Sequence, residues 1–421
     1  MIENTLSLLP QKPELAGALK ALCIGTDAGS LEELRGLLST LGVTAGKECE
    51  VKPRRINPAT YFGKGKLDEV RLLALDFGAG VVAVDTELSP VQLKNIEKLI
   101  GCPVIDRPGV IIEIFSRHAR TSEARTQVEL ARLAYLMPRL AHYWTHFERQ
   151  RGGMKLKGMG EKQLEVDRRL VKKRMEVLRG RLANIGTGRA LRRAGRRSVL
   201  KVALVGYTNA GKSTLLNALT HSDVLVEDKL FATLDACVRT LDPSSHPPVV
   251  AIDTVGFISH LPPALVASFR STLEEVGEAD LVVNIVDGSS PRARAQIEVT
   301  EKILKELGAH ETPRITVLGK ADLVSDRFKM NRAKIAAPGA MIVSAFNKDD
   351  VLRLRDAILG HFRKNLELWE VVVPFADGRT DALLHAHSDI ERRRQLEKGM
   401  FYRVRIDPQW ARRLGLARYR L

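Results

Sequence analysis

Residues 201–220 read KVALVGYTNAGKSTLLNALT, and this stretch constrains the fold more than any other in the chain. An apolar, β-branched run over 202–205 ends in Gly206. Four residues then separate Gly206 from Gly211-Lys212-Ser213, and a helix-forming stretch follows. Strand, glycine-rich loop and helix in that order make the P-loop setting. The glycines let backbone N–H groups approach phosphates, and the helix N-terminus faces the negative charge. Such a strand belongs in a doubly wound parallel sheet, with ligands at the carboxyl ends of its strands. Gly206, Asn209, Ala210, Gly211, Lys212, Ser213 and Thr214 are therefore candidate phosphate-binding residues. Lys212 is the candidate catalytic charge on the β- and γ-phosphates, and the Ser213 hydroxyl a ligand for Mg²⁺.

Further strand ends follow in the order that such a sheet needs. VVAIDTVGF (249–257) is a second apolar strand. It ends in Asp253, placed to hold Mg²⁺, and Gly256 can offer its N–H to a γ-phosphate. Between the two, FATLD offers Thr233 as a switch-loop ligand for Mg²⁺ and a catalytic residue, with Thr240 as the fallback. DLVVNIVDGS (280–289) reads as scaffold. ITVLGKADLV (315–324) ends in Gly319-Lys320-Ala321-Asp322, close to the guanine-reading pattern Asn-Lys-x-Asp. Asp322 can accept from guanine N1–H and the 2-amino group, which adenine lacks. Lys320 is a further candidate nucleotide-binding residue. Gly319 removes an amide that would donate to N7 and brace the P-loop; alternatively, a glycine there serves a backbone shape with positive φ. MIVSAF (341–346) places Ser344 and Ala345 where a backbone N–H can meet the purine O6. Phe257 stands where many regulatory GTPases place a water-orienting glutamine. Slow turnover alone, stimulated by a partner, is the expectation.

Charge marks a second region. The 421-residue chain carries +16, and residues 117–201 hold 23 Lys/Arg against 7 Asp/Glu, which is the whole excess. Such concentration points to a polyanion, nucleic acid first and an anionic membrane surface second. Leu130, Leu133, Met137, Leu140, Trp144 and Phe147 repeat at alternating spacings of three and four, as do Val171, Met175, Leu178, Leu182 and Ile185. Two heptad stripes predict an antiparallel helical hairpin, kinked at Pro138, with its apolar faces buried against each other. That leaves little to insert into a membrane. The glycine-rich stretch 151–163 reads as the hairpin tip, and 186–198 as a basic linker.

The whole reads as an α/β multidomain chain. Residues 1–120 alternate strands and helices, a small α/β domain with a mainly parallel sheet. Residues 121–198 form the hairpin and linker, 199–364 the P-loop doubly wound sheet, and 365–421 a small α+β domain. In that last segment WEVVVPF and MFYRVRI read as strands around an Arg-rich helix over 382–397. Four cysteines lack metal or disulfide spacing and read as buried or idle thiols. No apolar run nears the roughly 18–20 residues that span a bilayer. With no signal-peptide pattern at the start, a cytoplasmic monomer is expected.

Motifs across nearly the whole chain resemble the HflX family of ribosome-associated GTPases. They are EARTQVELARLAYLMPRL, GMGEKQLEVDRR, GYTNAGKSTLLNAL, FATLD and DTVGFISHLP, with YFGKGKLDEV near the start. The resemblance implies an N-terminal α/β domain, a helical hairpin, a GTPase domain and an optional C-terminal domain. It implies GTP and GDP as ligands and Mg²⁺ as cofactor. It further implies binding to the large ribosomal subunit, with the hairpin tip approaching ribosomal RNA, and splitting or rescue of stalled ribosomes or help in subunit biogenesis. Departures are Gly158-Met159-Gly160-Glu161-Lys162-Gln163 for Gly-Pro-Gly-Glu-Thr-Gln, Ala236-Cys237-Val238-Arg239 for Pro-Thr-Thr-Arg, and Gly319 for asparagine. An ATP-dependent RNA activity credited to some members would rest on Gly63-Lys64-Gly65-Lys66, which reads as a structural turn. Two functions compete: a GTPase switch on the large subunit, and a nucleotide-gated ribosomal-RNA binder with negligible or non-guanine-specific turnover.

Overall fold

The computed structural model describes residues 19–140, 159–194, 199–220, 230–231, 237–242, 248–259, 265, 275–324, 327–364 and 366–421, and of 159–164, 186–194 and 327–330 the backbone alone. The chain forms two compact units: Met1–Ala190 with Glu227–Asp235 and His260–Ser271, and Leu191–Val226 with Ala236–Ser259 and Thr272–Leu421.

The first unit holds strands β1 (Lys20–Gly25), β2 (Thr44–Glu50), β3 (Val81–Val84) and β4 (Val104–Asp106), all parallel, in the order β2-β1-β3-β4. Helices α1 (Ala28–Thr40), α2 (Lys64–Phe77), α3 (Pro90–Ile100) and α4 (Arg107–His118) connect and follow them. Leu22, Ile24, Val82 and Val84 meet Leu67, Val70, Leu93 and Ile96 in one core. Local chemistry sets the helix starts. Ser89 caps α3 through the Gln92 N–H, with Pro90 in its first turn as the sequence predicts. Such a cap stabilises by about 1 kcal/mol. Gly63-Lys64-Gly65-Lys66 is the start of α2, with Gly63 as its N-cap. β2 (TAGKECE) escapes the sequence reading because it is a mostly exposed edge strand without an apolar period.

The hairpin follows. Helix α5 (Ser122–Leu136) passes into a 3₁₀ turn at Met137–Arg139, where Pro138 denies the next helical hydrogen bond. Leu133 and Leu140 pack on Val171, Met175 and Leu178 of α6 (Met159–Ala194), with Leu130 and Met137 beside them. Arg174 grips Glu129 with two hydrogen bonds of 2.6 and 3.0 Å. Tyr135 donates to Asp106 (2.6 Å) and Arg139 donates to the same carboxylate (3.2 Å), which ties α5 to the strand end of β4. Two expectations change. Residues 159–163 begin α6, and the stretch read as a linker stays helical to Ala194. Extending a nucleated helix adds one hydrogen bond per residue, so the isolated Gly186 and Gly188 do not stop it. Trp144, Phe147 and tip residues 151–158 lie outside the described residues. Phe231, also in this unit, packs edge-to-face on Phe115 with ring centroids 4.6 Å apart, and the Leu230 N–H donates to Thr40 Oγ1.

In the second unit β5 (Leu200–Gly206) runs into α7 (Lys212–Thr220). Then come β6 (Cys237–Asp242), β7 (Val249–Asp253), β8 (Leu281–Asp287), α8 (Ala293–Glu306), β9 (Arg314–Gly319), α9 (Arg327–Ala336), β10 (Met341–Ile342) and α10 (Lys348–Arg363). The sheet order is β10-β9-β8-β5-β7-β6, with β6 antiparallel and the rest parallel. The order reverses at β5, so the P-loop sits at the switch point of a doubly wound sheet.

A second, antiparallel sheet closes the chain. β11 (Glu367–Val373), β12 (Ser388–Leu396) and β13 (Gly399–Ile406) pair in the order β11-β13-β12, with α11 (Gly378–His387) and α12 (Pro408–Arg413). Val371, Leu384, Tyr402, Val404 and Ile406 form its core. The helix expected over 382–397 ends at His387, and DIERRRQL is an edge strand. Pairing with the β-branched and aromatic β13 imposes that state, which local propensity does not announce. All four cysteines are free thiols, two buried and two half-buried. No helix among the described residues is long and apolar enough to cross a membrane.

Candidate functional site

The P-loop conformation follows from close approaches. Gly206 has φ +150, and a Cβ there would lie 2.1 Å from the Ile285 carbonyl oxygen. Only glycine fits. Asn209 and Gly211 also take positive φ, 58 and 90, as a tight phosphate loop requires. Ala210 is buried, and its N–H donates to the Tyr207 carbonyl (3.2 Å). Thr214 is half-buried in the first turn of α7.

Lys212 is buried and folds back on the loop. Its Nζ donates to the Tyr207 carbonyl at 3.0 Å and to the Gly206 carbonyl at 3.4 Å. Burial pushes its pKa down to about 8, while the nearby Asp253 carboxylate acts in the opposite sense. Ser213 Oγ donates to Asp253 Oδ2 at 2.6 Å. A hydroxyl and a carboxylate so placed are the hard oxygen donors that suit Mg²⁺.

The segment after Asp253 is laced to the P-loop. The Phe257 N–H donates to the Gly206 carbonyl (3.0 Å), and the Thr208 N–H donates to the Phe257 carbonyl (2.7 Å). A Cβ on Gly256 would come within 2.8 Å of Thr208 Cα and 3.0 Å of Lys212 Nζ. Gly256 therefore sits against the same ammonium that faces the loop. The Phe257 ring is buried at 1% exposure, so this position presents no side chain to a reacting water. Thr233 lies outside the described residues. Thr240, the fallback, is not brought to the site: it is exposed in β6 opposite Val250, three residues from the Cys237–Asp253 pair, or roughly 10 Å along the strand.

The residues read from the sequence as base-binding gather at the ends of β8 and β9 and in the loop after β10. Lys320 takes a left-handed φ of 55 and pairs with Asp287 at 3.0 Å. Its Cε lies 4.0 Å from where a Cβ on Gly211 would be. Ser344 Oγ donates to Asp322 Oδ1 (2.7 Å), and the Phe346 N–H donates to the same hydroxyl (3.3 Å). The Ser344 N–H is taken by Asp350 (2.9 Å), which leaves the Ala345 N–H as the group to face a purine oxygen. Two contributors escape the sequence reading: Asp287 and the Ser344 side chain. An acidic residue at the end of an apolar strand is the one signal that could have marked Asp287.

Gly319 resolves between its two readings. Its φ lies outside the left-handed region, so no glycine-only backbone shape exists there. A Cβ would meet the Ala210 carbonyl oxygen and Ile285 Cγ2 at 3.5 Å each, ordinary contact distances. The position has room for a side chain against the P-loop.

Three family models match the chain in succession: GTP-binding GTPase N-terminal over residues 28–116, GTP-binding GTPase middle region over 118–196, and 50S ribosome-binding GTPase over 201–320. Curated relatives include the GTPase HflX of Magnetococcus marinus, 41% identical over 90% of this chain and 89% of that protein. Others are the GTPase HflX of Flavobacterium psychrophilum, 42% identical over 78% and 84%, and that of Escherichia coli, 38% identical over 89% and 88%. Among solved structures, a GTP-binding protein from Sulfolobus solfataricus in complex with GDP aligns with a TM-score of 0.43 at 22% identity, covering 81% of this chain and 98% of that one.

Proposed function

Because the chain belongs to the HflX family of GTPases, we propose that it is a GTP-hydrolysing switch that acts on the large ribosomal subunit. Its relatives are GTPases, and the chain binds and hydrolyses GTP. One observation carries the reading of the site. Lys212, the Ser213–Asp253 pair, Gly256 and the Ser344–Asp322 pair stand at strand ends along one edge of a single sheet.

The assigned roles follow from chemistry. The N–H groups of Gly211 to Thr214, at the start of α7, cradle the phosphates, and Lys212 supplies charge to the β- and γ-oxygens. Ser213 and Asp253 would hold Mg²⁺, with Thr233 as the third ligand the sequence offers, and the ion would neutralise charge on the phosphates. Gly256 offers its N–H to the γ-phosphate. Lys320 lies along the base, Asp322 reads its edge and Ala345 meets its oxygen. The partner is ribosomal RNA of the large subunit, approached through the basic hairpin. Exposed Arg168, Arg169, Lys173 and Arg179 on α6 support that reading. The family resemblance, rather than the charge, adds the action: splitting or rescue of stalled ribosomes or help in subunit biogenesis.

Hydrolysis measured with and without 50S subunits tests the proposal. With Phe257 buried, water lacks a side-chain partner, so turnover alone is slow. Large subunits should raise it at least tenfold, equivalent to about 1.4 kcal/mol of barrier. Absence of stimulation favours a nucleotide-gated RNA binder.

Gly319→Asn should tighten GDP binding by a few-fold to about tenfold, since a regained hydrogen bond contributes about 0.5–1.5 kcal/mol. Titration calorimetry of both proteins decides it. Weaker binding in the variant would mean the loop cannot take the amide despite the room beside Ala210.

A further inference from the structure

The C-terminal sheet has an open face whose charge is not internally balanced. Cross-strand partners share a face of a sheet. Tyr402, Val404 and Ile406 of β13 are fully buried, so Phe401, Arg403 and Arg405 stand on the other face. The register places Leu368, Glu370 and Val372 of β11 and Asp389, Arg392 and Arg394 of β12 beside them. At one end, Arg363 at the end of α10 and Lys364 just after it share a groove with Asp389, Glu391 and Arg405.

The carboxylates here are already engaged. Glu391 pairs with Arg405 (2.6 Å) and Arg403 (3.2 Å), Glu370 with Arg403 (3.7 Å), and Asp389 with Arg363 (3.4 Å). Arg392 and Arg394 take part in no ion pair among the described residues. Arg392 also sits directly opposite Arg403, a like-charge pair in which Glu391 and Glu370 engage Arg403 and leave Arg392 without a carboxylate. Arg394 stands opposite Phe401, which is half-exposed.

We propose that this face binds single-stranded RNA. Arginines along an open sheet attract the backbone, and an aromatic ring beside them offers a surface on which a base can stack. Three strands spaced ~4.8 Å apart make a shelf roughly 10 Å across, room for two to three nucleotides. The face lies beyond residue 320, where the last matched family model ends. It shares no residue with the nucleotide site, so its failure leaves the GTPase reading untouched.

The test is fluorescence anisotropy of the full chain with a labelled oligouridine across a salt series. The basic segment 117–201 gives a background common to all variants, so differences carry the result. Arg392→Gln with Arg394→Gln should weaken binding about tenfold and lower the salt slope by about 1.4, near 0.7 per lost phosphate contact. It should not lower the melting temperature, because it removes a repulsion. Phe401→Ala and Phe401→Leu should each weaken binding about fivefold to tenfold with the slope unchanged, since stacking carries no counterion release. Unchanged RNA affinity in all variants overturns the proposal. So does a loss confined to the arginine pair, which would mean plain electrostatic attraction. Displacement of RNA by poly-glutamate of matched charge would assign the face to an acidic protein instead.

Discussion

Lys212→Ala should lose at least about a hundredfold in GDP affinity, or about 2.7 kcal/mol, in a protein that still folds. The side chain is the buried cation of the P-loop, held on the Tyr207 and Gly206 carbonyls. Without phosphates, those two carbonyls compensate poorly for removing an ammonium from water, and burial drives its pKa to about 8. Lys212→Met, of similar length and neutral, should therefore raise the melting temperature of the nucleotide-free protein while abolishing GDP binding. The pH dependence has a definite sign. Lys212 has a folded pKa below its unfolded value of 10.5, so between about pH 8 and 10.5 the unfolded chain holds a proton that the folded chain lacks. This group then makes the nucleotide-free protein more stable as pH rises through that window. GDP affinity moves the other way, falling above about pH 8, because the phosphates select the ammonium form. Calorimetry at pH 7 and 9 and thermal melts of both variants check each part. Undiminished GDP affinity in folded Lys212→Ala would sink the P-loop assignment.

The site and the fold were legible in the sequence to different depths, for physical reasons. The P-loop could be read because the geometry dictates the residue: a side chain at 206 would collide with the Ile285 carbonyl. Strands β3, β5, β7 and β8 could be read because they are buried on both faces, which forces unbroken apolar runs. β2 and β12 could not, since an edge strand takes its state from the neighbour that pairs with it. Asp287 and the Ser344 hydroxyl escaped for a related reason. Each acts across strands, on Lys320 and on Asp322, so its role appears only once β8, β9 and β10 are laid side by side. The single-residue departure at Gly319 was visible in the sequence, but its meaning required the backbone angle.

Asp322→Asn should weaken GDP binding by about a hundredfold and make xanthosine diphosphate the preferred ligand. In the proposed role the carboxylate would accept from guanine N1–H and the 2-amino group, and each charge-assisted bond of this kind contributes about 1.5–3 kcal/mol. Converting one oxygen to an amide nitrogen sets a donor against a donor at position 2. Xanthine carries a carbonyl oxygen there, so the same change restores the match. The surroundings should keep the residue in place. Asp322 Oδ1 accepts from Ser344 Oγ at 2.7 Å, and an asparagine can keep that contact through its remaining oxygen while the amide nitrogen turns to the base. Ser344 Oγ also accepts from the Phe346 N–H, so the loop retains its anchor. Adenosine diphosphate should bind weakly to both proteins, because adenine lacks the N1–H and 2-amino donors. Titration of wild type and variant with GDP, XDP and ADP separates the cases. Equal ADP and GDP affinity in the wild type would show that Asp322 does not read the base, and the guanine assignment would fall. Gly319→Asn combined with Asp322→Asn should tighten XDP further, and by an amount different from the sum of the single effects. On the proposed assignment residues 319 and 322 would contact one base from one short loop, so their contributions should couple.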